Sequence, residues 1–180
     1  MIRWFLERSL RKFEKQWGYD AAYQHELLQL NWKSFLKYGL GVKAMDYSAV
    51  PQEAMFAASL YTVMTEDCGS CTQIGVDIAL ASGVPEHVVR AALAGDEQGM
   101  GETAALAWRF ARASLARDIE ADVYREEIER RWGRKAVAAL GLAMVAARSY
   151  PTLKYAMGYG KACSRILVDG QPAALTRLAA

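Results

Sequence analysis

Cysteine is scarce: Cys68, Cys71 and Cys163 are the only three in 180 residues. With one of them far along the chain from the other two, this is no disulfide framework, so covalent staples do not hold the fold. An excess of either charge is also lacking. Twenty-two basic and 20 acidic residues give a formal net charge of +2, too small to make nucleic acid or a membrane the main partner. No uninterrupted apolar run is long enough for a signal peptide or a membrane span. Alternation of apolar and polar residues never persists long enough to build a sheet. Repeats and low-complexity tracts are missing too, and a chain of this length suits one domain that buries roughly 70% of its unfolded surface.

What recurs is helical periodicity, in a chain that is 53% hydrophobic and 23% charged, so the expected class is a globular all-α fold. Residues 1–17 place Ile2, Phe5, Leu6, Leu10, Phe13 and Trp17 at helical spacing, with Arg3, Arg8, Arg11, Lys12 and Lys15 filling the other face. Glu7 and Glu14 dilute that charge, which favours packing on the domain or a neighbouring subunit over membrane contact. Gly18 ends this helix and Asp20 can cap a second over 21–38. Gly39 and Gly41 suggest a loop over 39–48. Pro51 suits the first turn of a third helix, and Pro85 opens a short one that ends near Leu93. Residues 95–101, with three glycines and two acids, read as a linker. Helices are expected over 103–115, over 122–132 up to Gly133, and over 135–148, the last being the central core helix. Pro151 is expected to begin a final helix, and the tail after Gly170 to be loosely held. Residues 1–49 thus form a helical arm and 50–180 the main domain. Trp and Phe residues on 1–17 and 103–115 leave apolar surface for subunit contacts.

The most informative stretch is Cys68-Gly69-Ser70-Cys71. Nothing in the sequence suggests secretion, so a cytoplasmic location is expected, where close cysteine pairs are catalytic or metal-binding rather than structural. The residues that follow read as helix, so the motif sits at a helix start. Spacing of i and i+3 puts both sulfurs on one face, within disulfide reach. A helix N-terminus also favours the thiolate.

The segment from Glu66 through Pro85 resembles the alkylhydroperoxidase D-like, or carboxymuconolactone decarboxylase, family, in which a Cys-x-x-Cys opens a helix and a Gly-Val-Pro-type turn starts the next. The stretch from Gly101 through Ala111, and the stretch over 136–156 with Arg148, Tyr150 and Leu153, are similar to later helices of that family. The resemblance covers about 50–160 and implies an orthogonal all-α bundle that assembles as a homo-trimer or homo-hexamer. It implies no cofactor and no metal, a peroxide or disulfide substrate, a thiol reductant protein as electron donor, and no nucleic-acid partner. It further implies Cys71 as the nucleophile and Cys68 as the resolving thiol; position nearer the helix N-terminus favours the reverse.

The chain departs from the family at its proton relay. A glutamate twelve residues before the first cysteine is replaced by Phe56, and histidines before and after the second cysteine by Ser70 and Gly75. Any peroxidase activity is therefore expected to be slow, because an unassisted thiol is only a few per cent ionised at neutral pH. Glu66 is a candidate replacement base; alternatively, Glu66 and Asp67 merely favour the helix start while opposing a thiolate. Tyr61 reads as packing or a substrate hydrogen-bond donor, His25 and His87 as surface groups, and Cys163 as a small buried hydrophobe. Competing readings are a non-catalytic oligomeric helical protein and a non-redox decarboxylase-like enzyme drawing on Glu66, Asp77 and Glu102. A metal bridging two cysteine pairs between subunits is a further alternative, since one pair alone offers too few ligands for zinc.

Overall fold

The computed structural model describes residues 1–160 and 166–176. Cys163 lies outside them. Among the described residues the chain forms eight helices and one two-stranded hairpin: α1 Ile2–Trp17, α2 Ala22–Lys43, α3 Gln52–Met64, α4 Gly69–Ala81, α5 Glu86–Ala94, α6 Glu97–Ala116, α7 Glu120–Trp132, α8 Arg134–Ala156, β1 Leu167–Val168 and β2 Gln171–Pro172. The fold is all-α.

Its centre is α3 against α6 rather than the 135–148 helix. Small side chains explain the close approach: Ala54, Ala58, Ala104, Ala107 and Ala111 are completely buried, and larger groups fill the space between them. Tyr61 meets Trp108 edge to face, with ring centroids 4.8 Å apart, and Trp108 Nε1 donates to the Ala92 carbonyl of α5 at 3.0 Å. Tyr61 is therefore a packing residue, its indole neighbour worth about 1 kcal/mol beyond area burial. Because Trp108 and Phe110 are buried, α6 does not expose the aromatic surface expected of it; on α1, Trp4 and Phe5 do lie exposed.

Several boundaries differ from the sequence expectation. Gly39 and Gly41 lie inside α2, which continues to Lys43 after a kink at Asn31 (φ −149°, ψ 74°). Asn31 Oδ1 accepts from the Ser34 amide, so the kink is capped like a new helix start. The 95–101 segment is not a free linker: Asp96 caps α6 by accepting from the Gly99 amide. The break falls later, at Gly101, whose φ of 74° is a conformation glycine adopts without strain. Pro151 sits within α8 instead of starting a helix, although proline there removes one helical hydrogen bond. That helix is long and apolar enough to cross a membrane by length and composition, and here it packs on α3 and α7. Of the tail after Gly170, the described residues 171–176 are docked, with the Thr176 amide donating to the Leu93 carbonyl; just before it, Ile166 and Val168 lie in the core.

The arm has its own apolar cluster of Leu10, Tyr19, Ala21 and Tyr23, backed by Phe13, Trp17 and Phe35. Ile74 of α4 and Leu153 and Met157 at the end of α8 join it. The arm therefore lies over the helix that carries the cysteines.

Candidate functional site

The chain reaches α4 through a short connector, 65–68, that is held from outside. Asp67 takes a left-handed φ of 48°, and its carbonyl accepts from the Tyr155 hydroxyl at 2.8 Å. Glu66 Oε1 pairs with Arg148 Nε at 2.6 Å. Cys68 occupies the N-cap position of α4 and makes no side-chain cap; its carbonyl instead accepts from the Thr72 amide and hydroxyl. Cys71 follows in the first turn.

Cys68 and Cys71 are paired as a disulfide, with Cα atoms 5.3 Å apart, inside the usual range for such a bridge. Both are 4% exposed, so position nearer the helix N-terminus does not make Cys68 the more accessible thiol. The two differ in what they face. Cys71 lines a cavity of about 590 Å³, whereas Cys68 packs behind it with Val63 and Ala147.

The cavity is overwhelmingly apolar and lies between arm and domain. Leu6, Leu10, Phe13 and Phe35 supply the arm side, and Met55, Leu60, Val63 and Ile74 part of the domain side. Phe56 and Gly75 also line it, so two of the three positions that depart from the family's relay are cavity wall. The size suits a small organic molecule.

Each sulfur has one hydroxyl nearby. Tyr19 Oη is 3.8 Å from Cys71 Sγ, and Ser70 Oγ is 3.7 Å from Cys68 Sγ. Lys154 joins the two sides: its ammonium donates to Ser70 Oγ at 2.6 Å and stands 5.6 Å from the centroid of the Tyr19 ring. Burial lowers the Lys154 pKa, with Asp20 opposing. Burial likewise raises Tyr19, against the hydrogen bond with Tyr23, and pushes Tyr150 on the cavity wall up to about 12. These phenols are neutral donors at ordinary pH, and the lysine is the one cationic side chain hydrogen-bonded into the cluster among the described residues.

The site thus brings together Cys68, Cys71 and Ser70 but not Glu66, whose carboxylate is committed to Arg148 and makes no hydrogen bond to either sulfur. Asp77 accepts from Gln73 and Glu102 from Arg131, so the three acids considered for acid–base work do not converge. His87 is exposed. His25 is half-buried and bridges two carboxylates of α1, Nδ1 to Glu7 at 2.8 Å and Nε2 to Glu14 at 2.9 Å. Among the described residues, no three His, Cys, Asp or Glu side chains gather to hold a metal.

Tyr19 and Lys154 were not legible as site residues. Tyr19 sits 52 positions before Cys71 in a short turn, and Lys154 appears in sequence as one cation on an amphipathic helix. The only local signal is that Lys154 follows Tyr150 by four residues and Leu153 by one, on the face that packs inward. No protein-family model matches this chain, and neither a curated protein nor a solved structure was found to match it.

Proposed function

We propose that the protein is a thiol–disulfide oxidoreductase with slow hydroperoxidase activity, in which Cys71 is the nucleophile and Cys68 the resolving thiol. The observation that carries this reading is that Cys71, bonded to Cys68, is the sulfur that faces the cavity. In the reduced protein the Cys71 thiolate attacks the terminal oxygen of a hydroperoxide and the O–O bond breaks. The alkoxide leaves as the alcohol after taking a proton, and Cys71 becomes a sulfenic acid. Cys68 then attacks the Cys71 sulfur; the S–O bond breaks and water departs with the Cys68 proton. An external dithiol returns two electrons and two protons.

The protein's own groups serve this cycle in stated ways. The Lys154 ammonium and the Ser70 and Tyr19 hydroxyls favour the thiolates by charge and hydrogen bonding. The helix terminus adds roughly 0.3–1 kcal/mol in the same direction. Tyr19 is the hydroxyl nearest Cys71 and is the proposed proton donor to the departing alkoxide. The apolar wall selects an organic substrate over a charged one.

The same reading takes the fold as an orthogonal bundle of the alkylhydroperoxidase D-like kind and the protein as a cytoplasmic homo-trimer or homo-hexamer reduced by a thiol protein. Exposed Leu142 and Val145 on α8 and Leu30 and Leu40 on α2 support subunit contacts. Stopped turnover of reduced protein with cumene hydroperoxide, with the alcohol and disulfide counted together, tests the chemistry. A second reading, a non-catalytic helical protein whose cysteine pair is a strut, is favoured by the equal burial of the two sulfurs; it requires that no alcohol be formed.

A further inference from the structure

Helix α1 has three faces, and their chemistry differs sharply. Leu6, Leu10, Phe13 and Trp17, at helical spacing, face the domain; Leu10 is buried and Leu6 and Phe13 line the cavity. Glu7 and Glu14, one heptad apart, both turn to His25 of α2. The remaining face carries Trp4, Arg8, Arg11 and Lys15 in one stripe with Phe5 and Lys12 beside it, all exposed. Its acids are gone. The two glutamates that dilute the helix in sequence are spent on the inner side, although Arg11 reaches Glu7 loosely at 3.9 Å.

At the N-terminal end of this face Trp4 is 58% and Phe5 61% exposed. Their rings meet edge to face at 4.9 Å, and the Arg8 guanidinium lies 5.6 Å from the Trp4 centroid. Aromatic rings at the head of a cationic stripe are the composition that seats at the boundary between lipid headgroups and acyl chains. Four cations on one face supply the long-range attraction to anionic headgroups, and the rings supply the apolar insertion.

We propose that the outer face of α1 docks the protein on an anionic lipid surface, Trp4 and Phe5 entering the interface and Arg8, Arg11, Lys12 and Lys15 contacting the headgroups. The cavity wall formed by Leu6, Leu10 and Phe13 is the opposite side of the same helix, so docking places that cavity next to the bilayer. The proposal is independent of the cysteine chemistry.

The test is co-sedimentation of the full chain with vesicles of phosphatidylcholine and phosphatidylglycerol at 3:1, beside vesicles of phosphatidylcholine alone. Binding to the anionic vesicles only is expected at low ionic strength, and its loss in 1 M salt, where the Debye length falls to about 3 Å. Each of R8Q, R11Q, K12Q and K15Q should lower the partition coefficient by about fivefold. Trp4→Phe should retain binding while losing the part of the tryptophan fluorescence that brominated acyl chains quench. These side chains face solvent, so the variants fold, and unchanged circular dichroism verifies it. Equal partition onto both vesicle types, or onto neither, overturns the proposal. So does a partition that the fourfold glutamine variant leaves unchanged. If duplex DNA of equal charge displaces the vesicles, or if W4A/F5A splits an oligomer in lipid-free buffer, the face belongs to nucleic acid or to a second copy and the proposal fails.

Discussion

Lys154 Nζ lies 2.6 Å from Ser70 Oγ, 84 positions away in sequence, and that hydroxyl is 3.7 Å from Cys68 Sγ. An ammonium is thereby buried at the base of a cysteine pair, with no carboxylate at ion-pair distance among the described residues. Burial disfavours the charge and the Asp20 carboxylate offsets only part of that, so a further negative group beside the ammonium is favourable. Reduction of the Cys68–Cys71 bridge supplies that partner, since one thiol can then ionise.

Replacing Lys154 by Met should therefore separate reactivity from stability. Alkylation of the reduced pair by iodoacetamide at neutral pH should slow by roughly three- to tenfold, because the charge that favours the thiolate is gone. Its pH profile should move to higher pH. The urea midpoint of the oxidised protein should not fall, because an unpaired buried charge has been removed. Faster alkylation, or a clearly lower midpoint, would show that the lysine is structural.

The two cysteines should fail differently. Cys71→Ser should abolish hydroperoxide consumption. Cys68→Ser should leave a sulfenic acid on Cys71 that a dimedone probe captures in the mass spectrum. Glu66→Gln, by contrast, should leave the peroxidatic rate within about twofold, because the Glu66 carboxylate pairs with Arg148 and an exposed partner makes that pair worth at most about 1 kcal/mol. A larger fall would restore Glu66 as the base.

Gly75 offers a gain in stability at the expense of cavity space. It lies inside α4, and a Cβ there would meet Leu60 Cδ2 at 3.4 Å, close but tolerable contact. Gly75→Ala should stabilise the helix by up to about 1 kcal/mol, seen as a raised thermal midpoint. Turnover of a bulky organic hydroperoxide should fall more than turnover of hydrogen peroxide, since the methyl projects toward the cavity wall.

The His25 bridge sets a pH dependence. Burial disfavours its charge, but the hydrogen bonds and charges of Glu14 and Glu7 outweigh that and raise its pKa. A raised folded pKa means the clamp's stabilisation is fully present below the unfolded value of about 6.5 and is lost as pH rises through the folded value. The arm should loosen over that window, with amide exchange in α1 rising. His25→Gln should remove this pH dependence while leaving exchange in α3 and α6 unchanged.

Much of the bundle was legible because it rests on local chemistry. Gly18 adopts the left-handed stop expected of it, and Gly133 separates α7 from α8; the N-cap of α2 is Ala21 rather than Asp20, although Asp20 Oδ1 still accepts from the Ala22 amide. The cysteine pair opens α4, as the helical pattern of the residues after it implies. Where the reading failed, distant contacts had overridden local preference. Pro151 stays helical because it is buried with α8 against the bundle. Likewise, residues 171–176 are held through the Thr176 amide, which donates to the Leu93 carbonyl of α5, and the hairpin before them by Gln73, whose amide donates to the Leu167 carbonyl and whose carbonyl accepts from the Leu167 amide. Tyr19 reaches Cys71 Sγ and Lys154 reaches Ser70 Oγ only through the docking of arm and α8, a juxtaposition no spacing rule encodes.

The decisive measurement is a paired count on the pre-reduced protein after one equivalent of cumene hydroperoxide: alcohol by chromatography, and the mass of the peptide carrying Cys68 and Cys71. A redox-active pair predicts one alcohol formed for each peptide that loses two hydrogens, in wild type and not in Cys71→Ser. A peptide that keeps its reduced mass while no alcohol appears, with this or any other hydroperoxide or disulfide oxidant, would contradict it.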